Sequence, residues 1–314
     1  MKKLLIPFFI TLFAFAIALL PNCSKDDDKV TAPDLKVGDT TAADFKTVQG
    51  FLGGSIVAND EQIITISMAL IDEIPDGAGK RIVLPKPVND VETLVITNYI
   101  FSNDKWHIFY CSSYVADEGF ELDMSLKGID SIRFSSGGVY VAFPNDTTPT
   151  TINIRAHFDI DFNYAESYIS LDHDASYTVV GMLDQYYHIG GNTSDTLDMH
   201  LETNDTSYCD FNLKVSQTLL NIYIDSGIIE GEECPPAGSI NINASINVEC
   251  VGNNAADSLS LDGNWTASIV FNDQTITATY SDGHTRWVVN EDCDAGGGLT
   301  KSTWAKKLLR YYSE

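Results

Sequence analysis

The chain has 314 residues, 44% of them hydrophobic, and carries 19 lysines and arginines against 44 aspartates and glutamates, a formal charge of −25. That balance excludes nucleic acid as a partner, because phosphate binding needs a basic footprint, and it disfavours docking of the folded body on an anionic lipid surface. It favours solubility and cation binding and leaves the fold open.

Taken in chain order, the first element is a leader. Lys2 and Lys3 precede an apolar run from Leu4 to Leu20 broken only by Pro7 and Thr11, so residues 1–22 read as a secretory signal peptide. Without them the chain keeps 17 basic and 44 acidic residues, a net charge of −27. Residues 23–41 are rich in Ser, Lys, Asp, Thr, Ala and Pro. Such a stretch cannot bury apolar area and is expected to act as a disordered acidic tether.

Leu20-Pro21-Asn22-Cys23 resembles the lipobox of bacterial lipoproteins, with the aliphatic residue and the cysteine in place. Asn22 stands where the family carries a small residue, and Pro21 is also a departure. Ser24-Lys25-Asp26-Asp27-Asp28 is similar to the acidic stretch behind the lipidated cysteine of many Bacteroidetes lipoproteins, where it accompanies export to the cell surface. The resemblance covers residues 1–29. It implies acylation of Cys23, a membrane partner through that lipid, and a location on the periplasmic or cell-surface side of the outer membrane.

Residues 42–295 are expected to form a single β-rich domain. Its opening stretch, 42–74, is read as helical: Phe45, Val48, Phe51 and Leu52 fall at helical spacing, and a second helix follows Asn59. From about Thr93 the period becomes two. Ile152, Ile154, Ala156, Phe158, Ile160 and Phe162 point one way, and Asn153, Arg155, His157, Asp159, Asp161 and Asn163 point the other. The same alternation runs through 239–250 and recurs in 196–202, 207–215, 265–271 and 274–280.

Asn272-Asp273, Ser281-Asp282-Gly283, Gly190-Gly191-Asn192 and Pro144-Asn145-Asp146 are read as turns. The fold class is therefore mainly β: a large antiparallel meander of a dozen or more short strands, closed as a barrel, curled as a half-barrel or doubled as a sandwich. A glycine linker at 296–298 leads to a short basic amphipathic helix that ends the chain.

Six cysteines are present, at 23, 111, 209, 234, 250 and 293. An acylated Cys23 leaves an odd thiol among the remaining five, so parity weighs against lipidation. With 208–216 and 218–225 read as separate strands, Cys209, Cys234 and Cys293 gather at one end of the sheet as disulfide candidates, and Cys250 lies at the other.

The chemical signals are few. G-x-S-x-G, H-E-x-x-H and paired C-x-x-C motifs are absent, and no catalytic residue is assigned. Asp76-Gly77-Ala78-Gly79-Lys80-Arg81 lacks the first glycine and the hydroxyl residue of a phosphate loop and reads as a turn. His157, Asp159 and Asp161 share one strand face and are the metal candidates, with solvated surface as the competing reading. His173 falls on the apolar parity and reads as a hydrogen-bonded core histidine. No cofactor is required; Ca2+ is the one ion that the Asp-rich turns suit.

Function is read as a non-enzymatic, envelope-anchored binding or structural role, with an apolar small molecule held in the curved sheet. Two alternatives stand beside it. One is an adhesion or glycan-binding module, in which Tyr186, Tyr187, Trp106 and Trp287 stack on sugars; the other is a hydrolase using scattered carboxylates.

Overall fold

The computed structural model describes residues 36–50, 52, 67, 70, 74, 95–117, 122–142, 150–181, 186–204, 207–225, 237–252, 259–272 and 275–292. The signal peptide, Cys23, most of the tether, most of the expected second helix, Cys234, Cys293 and the C-terminal helix lie outside them.

One large sheet dominates. Its strands are β1 (Lys36–Val37), β2 (Val95–Phe101), β3 (His107–Asp117), β4 (Leu122–Ser136), β5 (Val139–Val141), β6 (Thr151–Tyr164) and β7 (Ser167–Val180), then β8 (Tyr186–Asn204), β9 (Ser207–Asp225), β10 (Ala237–Val251), β11 (Leu259–Asn272), β12 (Thr275–Ser281) and β13 (Thr285–Asp292). The order is β1-β13-β12-β11-β10-β9-β8-β7-β6-β4-β3-β2, with β5 on β4. Every pairing is antiparallel except β1 with β13, which is parallel. β2 and β1 end the order without meeting, so the sheet is open and curved, neither a closed barrel nor a sandwich.

Period-two alternation makes this sheet. Phe158, Ile154, Ile246 and Ile269 are fully buried on the inner face, while Arg155, Asp159 and Asn247 are exposed on the outer one. A helix, α1 (Ala43–Gly50), places Phe45 and Val48 against the inner face. The Phe45 ring stacks on Trp287 of β13 at 5.2 Å and meets Tyr280 of β12 edge-on at 5.4 Å. Leu52 and Leu70 are buried too.

Three readings of the chain require correction. The strands are long, up to 19 residues in β8 and β9. Gly190-Gly191-Asn192 is no turn but lies inside β8, where a Cβ on Gly191 would come within 2.3 Å of the Ser176 carbonyl oxygen. Glycine there permits close approach of two strands rather than reversal of the chain.

Residues 208–216 and 218–225 are likewise one strand, β9. Gln217 interrupts the apolar pattern, yet it points into the core and donates from Nε2 to Thr193 Oγ1 at 3.1 Å. A single strand reverses the geometry expected for the cysteines. Cys250 of β10 lies opposite Cys209 of β9, at the same end of the sheet, and the two are disulfide-bonded.

Candidate functional site

The outer face is built in rows, because cross-strand partners in register share a level. Over β4, β6, β7, β8 and β9, one row is Lys127–Asp159–Asp172–Thr196–Lys214 and the next is Ser125–Asp161–Ser170–Asp198–Asn212. Between the strands these rows give hydrogen bonds such as Ser170 Oγ to Asp161 Oδ1, 2.9 Å, and Asn212 Nδ2 to Asp198 Oδ1, 3.3 Å.

Of the three metal candidates, the structure brings His157 and Asp159 together and adds Asp172 from β7 in place of Asp161. One ligand atom from each of His157, Asp159 and Asp172 lies within 4.8 Å of the others. His157 is 3.7 Å from Asp159 Oδ2 through Nε2 and 3.7 Å from Asp172 Oδ1 through Nδ1. The three could coordinate a divalent cation: the carboxylate oxygens suit Ca2+, while imidazole nitrogen is commoner around zinc. Nδ1 also hydrogen-bonds Asp174 Oδ1 at 3.0 Å, a contact that an ion would have to displace. Asp161 drops out because its opposite residue on β7 is Ser170, which already bonds it.

A depression of about 550 Å³ opens towards one end of this face. Tyr114 of β3 and Tyr168 of β7 stand on its opposite sides, 66% and 39% exposed, and Ser125, Asp161 and Ser170 line it between them. Three strand intervals and an offset of two residues along the strands separate the tyrosines, roughly 16 Å. Lys127, Asp123 and Asn163 complete the polar lining. From Tyr168 the aromatic surface continues: its ring stacks on His200 at 5.9 Å, and His200 stacks on Tyr208 at 5.7 Å. Asp210 Oδ1 fixes the imidazole through Nδ1 at 2.6 Å. The Tyr168 phenol is pushed above its ordinary range, first by burial and then by the carboxylates of Asp198 and Asp210. A second depression, of about 660 Å³, is more apolar and is lined by Val180, Leu220 and Tyr223.

The aromatics picked from the sequence fare differently. Trp287 is buried in the stack on α1, so it is unavailable to a ligand. Trp106 is half-buried under two arginines. The side chains of Tyr186 and Tyr187 lie outside the described ones. Tyr114 and Tyr168 were legible only through parity, since each falls on the polar side of its strand.

The inner face holds a few buried polar groups. His173 is a core histidine, with Nδ1 2.6 Å from Asp195 Oδ1 across β7 and β8. Asp130 of β4 accepts a hydrogen bond from the Ser67 hydroxyl, and burial pushes its carboxyl up to about 7 against that bond and one from the Ser131 backbone. Burial lowers His107 to about 4, opposed by a hydrogen bond with the Ala142 backbone, and its Nδ1 lies 2.8 Å from the Tyr99 hydroxyl. The Cys111 thiol is pushed up to about 12, by burial first and the nearby Asp130 charge second.

Compared with protein families, curated proteins and solved structures, the chain shows no match.

Proposed function

We propose that this protein is a non-enzymatic binding module, held at the cell envelope by lipid on Cys23, that takes a hydroxyl-rich ligand of the glycan class on the outer face of its sheet. The observation that carries the reading is the depression between Tyr114 and Tyr168. Aromatic faces stack on the C–H faces of sugar rings, while Ser, Asp, Asn and Lys side chains answer the hydroxyls; sites of this kind combine a few placed polar groups with aromatic lining. The Tyr168–His200–Tyr208 stack lengthens the platform along the sheet.

The apolar-ligand reading is less favoured, because it needs the inner face. There Phe158, Ile154 and Ile246 are already buried within the protein. A hydrolase would use paired, desolvated carboxylates. Among the described residues the buried ones, Asp130 and Asp195, sit on β4 and β8, three strand intervals apart. The outer carboxylates Asp159, Asp172 and Asp174 are more than half exposed.

The test is a glycan array followed by calorimetry. A neutral oligosaccharide that binds the wild type should lose about tenfold or more in affinity with Tyr168→Ala or Tyr114→Ala, the scale of one lost stacking contact. Binding unchanged by both substitutions would refute the site.

A further inference from the structure

Every ion pair among the described residues uses a histidine as its cation. The guanidinium groups of Arg133 on β4 and Arg155 on β6 therefore meet no described carboxylate, in a chain with 44 acidic residues. They meet aromatic rings instead. Arg133 Cζ lies 4.3 Å from the Trp106 ring centroid and 3.8 Å from that of Tyr140, and Arg155 Cζ lies 4.7 Å from the same Trp106 ring.

The turn before β3 brings Trp106 there. The Ser102 N–H donates to the Trp106 carbonyl at 2.9 Å, the Trp106 N–H donates to Ser102 Oγ at 3.0 Å, and Lys105 takes a φ of 64°. His107 points into the core, so Trp106, one residue earlier, falls on the outer face. Register sets the two arginines on a diagonal, with Arg133 opposite Asn153 and Arg155 opposite Ser131.

Stacking engages the face of a guanidinium, whereas its five N–H donors radiate in the plane. The Trp106 and Tyr140 rings against Arg133, and the Trp106 ring against Arg155, hold the forks in place and use none of those donors. Arg133 Nε is buried without a hydrogen-bond partner. A salt-bridged arginine would have spent its fork; these two are oriented with donors to spare.

We propose that Arg133 and Arg155, held by Trp106 and Tyr140, form a binding site for a carboxylate. A carboxylate is planar, accepts two parallel N–H bonds from one guanidinium and carries a single charge. The single charge matters, because the overall field of this chain repels every further negative charge. His157 and the Asp174 carboxylate lie one position further along the same face, and Asp159 and Asp172 two positions further, which disfavours phosphate and polyanions. The inference goes beyond the glycan reading and does not depend on it: Arg155 and Asp161 are six residues apart on β6, about 20 Å. The carboxylate can come from a uronic acid in an acidic glycan or from a small free acid, and the arms of the experiment separate these.

The 15N-labelled protein is titrated with acetate, galacturonate and the singly acidic disaccharide galacturonosyl-rhamnose at constant ionic strength, with galactose as the neutral control. The readouts are the Trp106 indole N–H, assigned through Trp106→Phe, and the arginine Nε–H signals. Carboxylates should give saturable shifts and galactose none. Arg155→Gln, at an exposed position that leaves the core untouched, should weaken binding at least tenfold. Arg155→Lys should fall between, because it keeps the charge and loses the fork. Tyr168→Ala should leave this titration unchanged, which keeps it separate from the glycan test. Galacturonosyl-rhamnose binding more tightly than acetate assigns the ligand to a uronic acid; equal affinities assign it to a free acid. No saturable shift from any carboxylate, or an unchanged affinity in Arg155→Gln, overturns the proposal.

Discussion

Cys209 and Cys250 face each other across β9 and β10, their Cα atoms 4.0 Å apart, and form a disulfide that spans 41 residues of sequence. The bridge joins the near end of β9 to the far end of β10, so it ties together two neighbouring strands that the intervening chain connects only at the opposite end of the sheet. Closing a loop of that length contributes about 2–4 kcal/mol by restricting the unfolded chain.

The bridge also changes the cysteine arithmetic. Cys111 is a buried reduced thiol, so it is the odd one out, and Cys234 and Cys293 remain as a pair once Cys23 is acylated. β10 begins at Ala237 and β13 ends at Asp292, and the pairs Ala237–Asn272, Asn272–Thr275 and Thr275–Asp292 place both at one end of the sheet. Three strand intervals, roughly 14 Å, lie between them, a gap that the three residues from Cys234 to Ala237, about 10 Å at full extension, can close together with the Cα spacing of about 5.5 Å across a disulfide. Non-reducing peptide mapping should find Cys209–Cys250 and Cys234–Cys293, with Cys111 alkylated only after unfolding. A Cys234–Cys250 peptide would contradict the register of β9 and β10.

Phe158 is fully buried, and its ring occupies the space above Gly128, where a Cβ would come within 2.1 Å of Cδ1. Phe158→Ala should cost about 3–5 kcal/mol through lost burial and a cavity. Gly128→Ala should also destabilise, by forcing the ring aside. Asp159, the next residue on β6, is 55% exposed, and Asp159→Ala in chelator should stay within about 0.5 kcal/mol. With Ca2+ or Zn2+ added at ten times its dissociation constant, an ion held by His157, Asp159 and Asp172 would stabilise the wild type by roughly 1.4 kcal/mol. That gain should vanish in Asp159→Ala. Melting curves with and without ion measure all of this, and equal small losses from Phe158→Ala and Asp159→Ala would overturn the assignment of faces.

Parity was legible in the sequence because one face of the sheet is dry and the other wet. Phe158, Ile160, Ile246 and Ile269 are buried as the alternation requires, and His173 is the buried, bonded histidine that its parity implied. Where a strand continues through polar or glycine residues, parity alone is silent. Gln217 donates its amide N–H to Thr193 inside the core, and Gly190-Gly191 sits where strands crowd, so both looked like turns. Asn221, with a φ of 49°, marks an irregularity in the register of β9 that shifts the buried positions from Leu219 to Ile222. The sites were harder to read. Asp172 joins His157 and Asp159, and Tyr168 faces Tyr114, only through pairing between strands that no local pattern specifies.

Anchoring is tested at Cys23. The lipobox-like stretch ending at that residue and the acidic run behind it motivate acylation, and the bridge and buried thiol above remove the parity argument against it. Cys23→Ser should move the protein from the membrane to the soluble fraction, and intact mass of the wild type should show the added acyl chains. An unmodified Cys23, or a mature chain starting at Leu19, would refute the anchor.

The last expectation is a pH profile set by two buried groups with opposite slopes. Asp130 keeps its proton in the folded state up to about pH 7, but in the unfolded chain it ionises near its ordinary value of 3.8. Its contribution to stability is therefore full below 3.8 and is lost as pH rises towards 7. His107 stays neutral in the folded state down to about pH 4, whereas the unfolded chain protonates it below 6.5, so its contribution is lost as pH falls from 6.5 to 4. Between about pH 4 and 6.5 the two slopes oppose each other and the wild-type profile should be flat from these groups. Asp130→Asn keeps an acceptor for the Ser67 hydroxyl and removes the acid. It should be more stable than wild type at pH 8, by an amount on the order of 3 kcal/mol, and lose that advantage towards pH 4. Its own stability should now decline steadily below pH 6.5, as His107 acts alone. Urea midpoints measured from pH 4 to 8 for both proteins decide the matter, and parallel profiles would show that Asp130 is ionised in the folded protein.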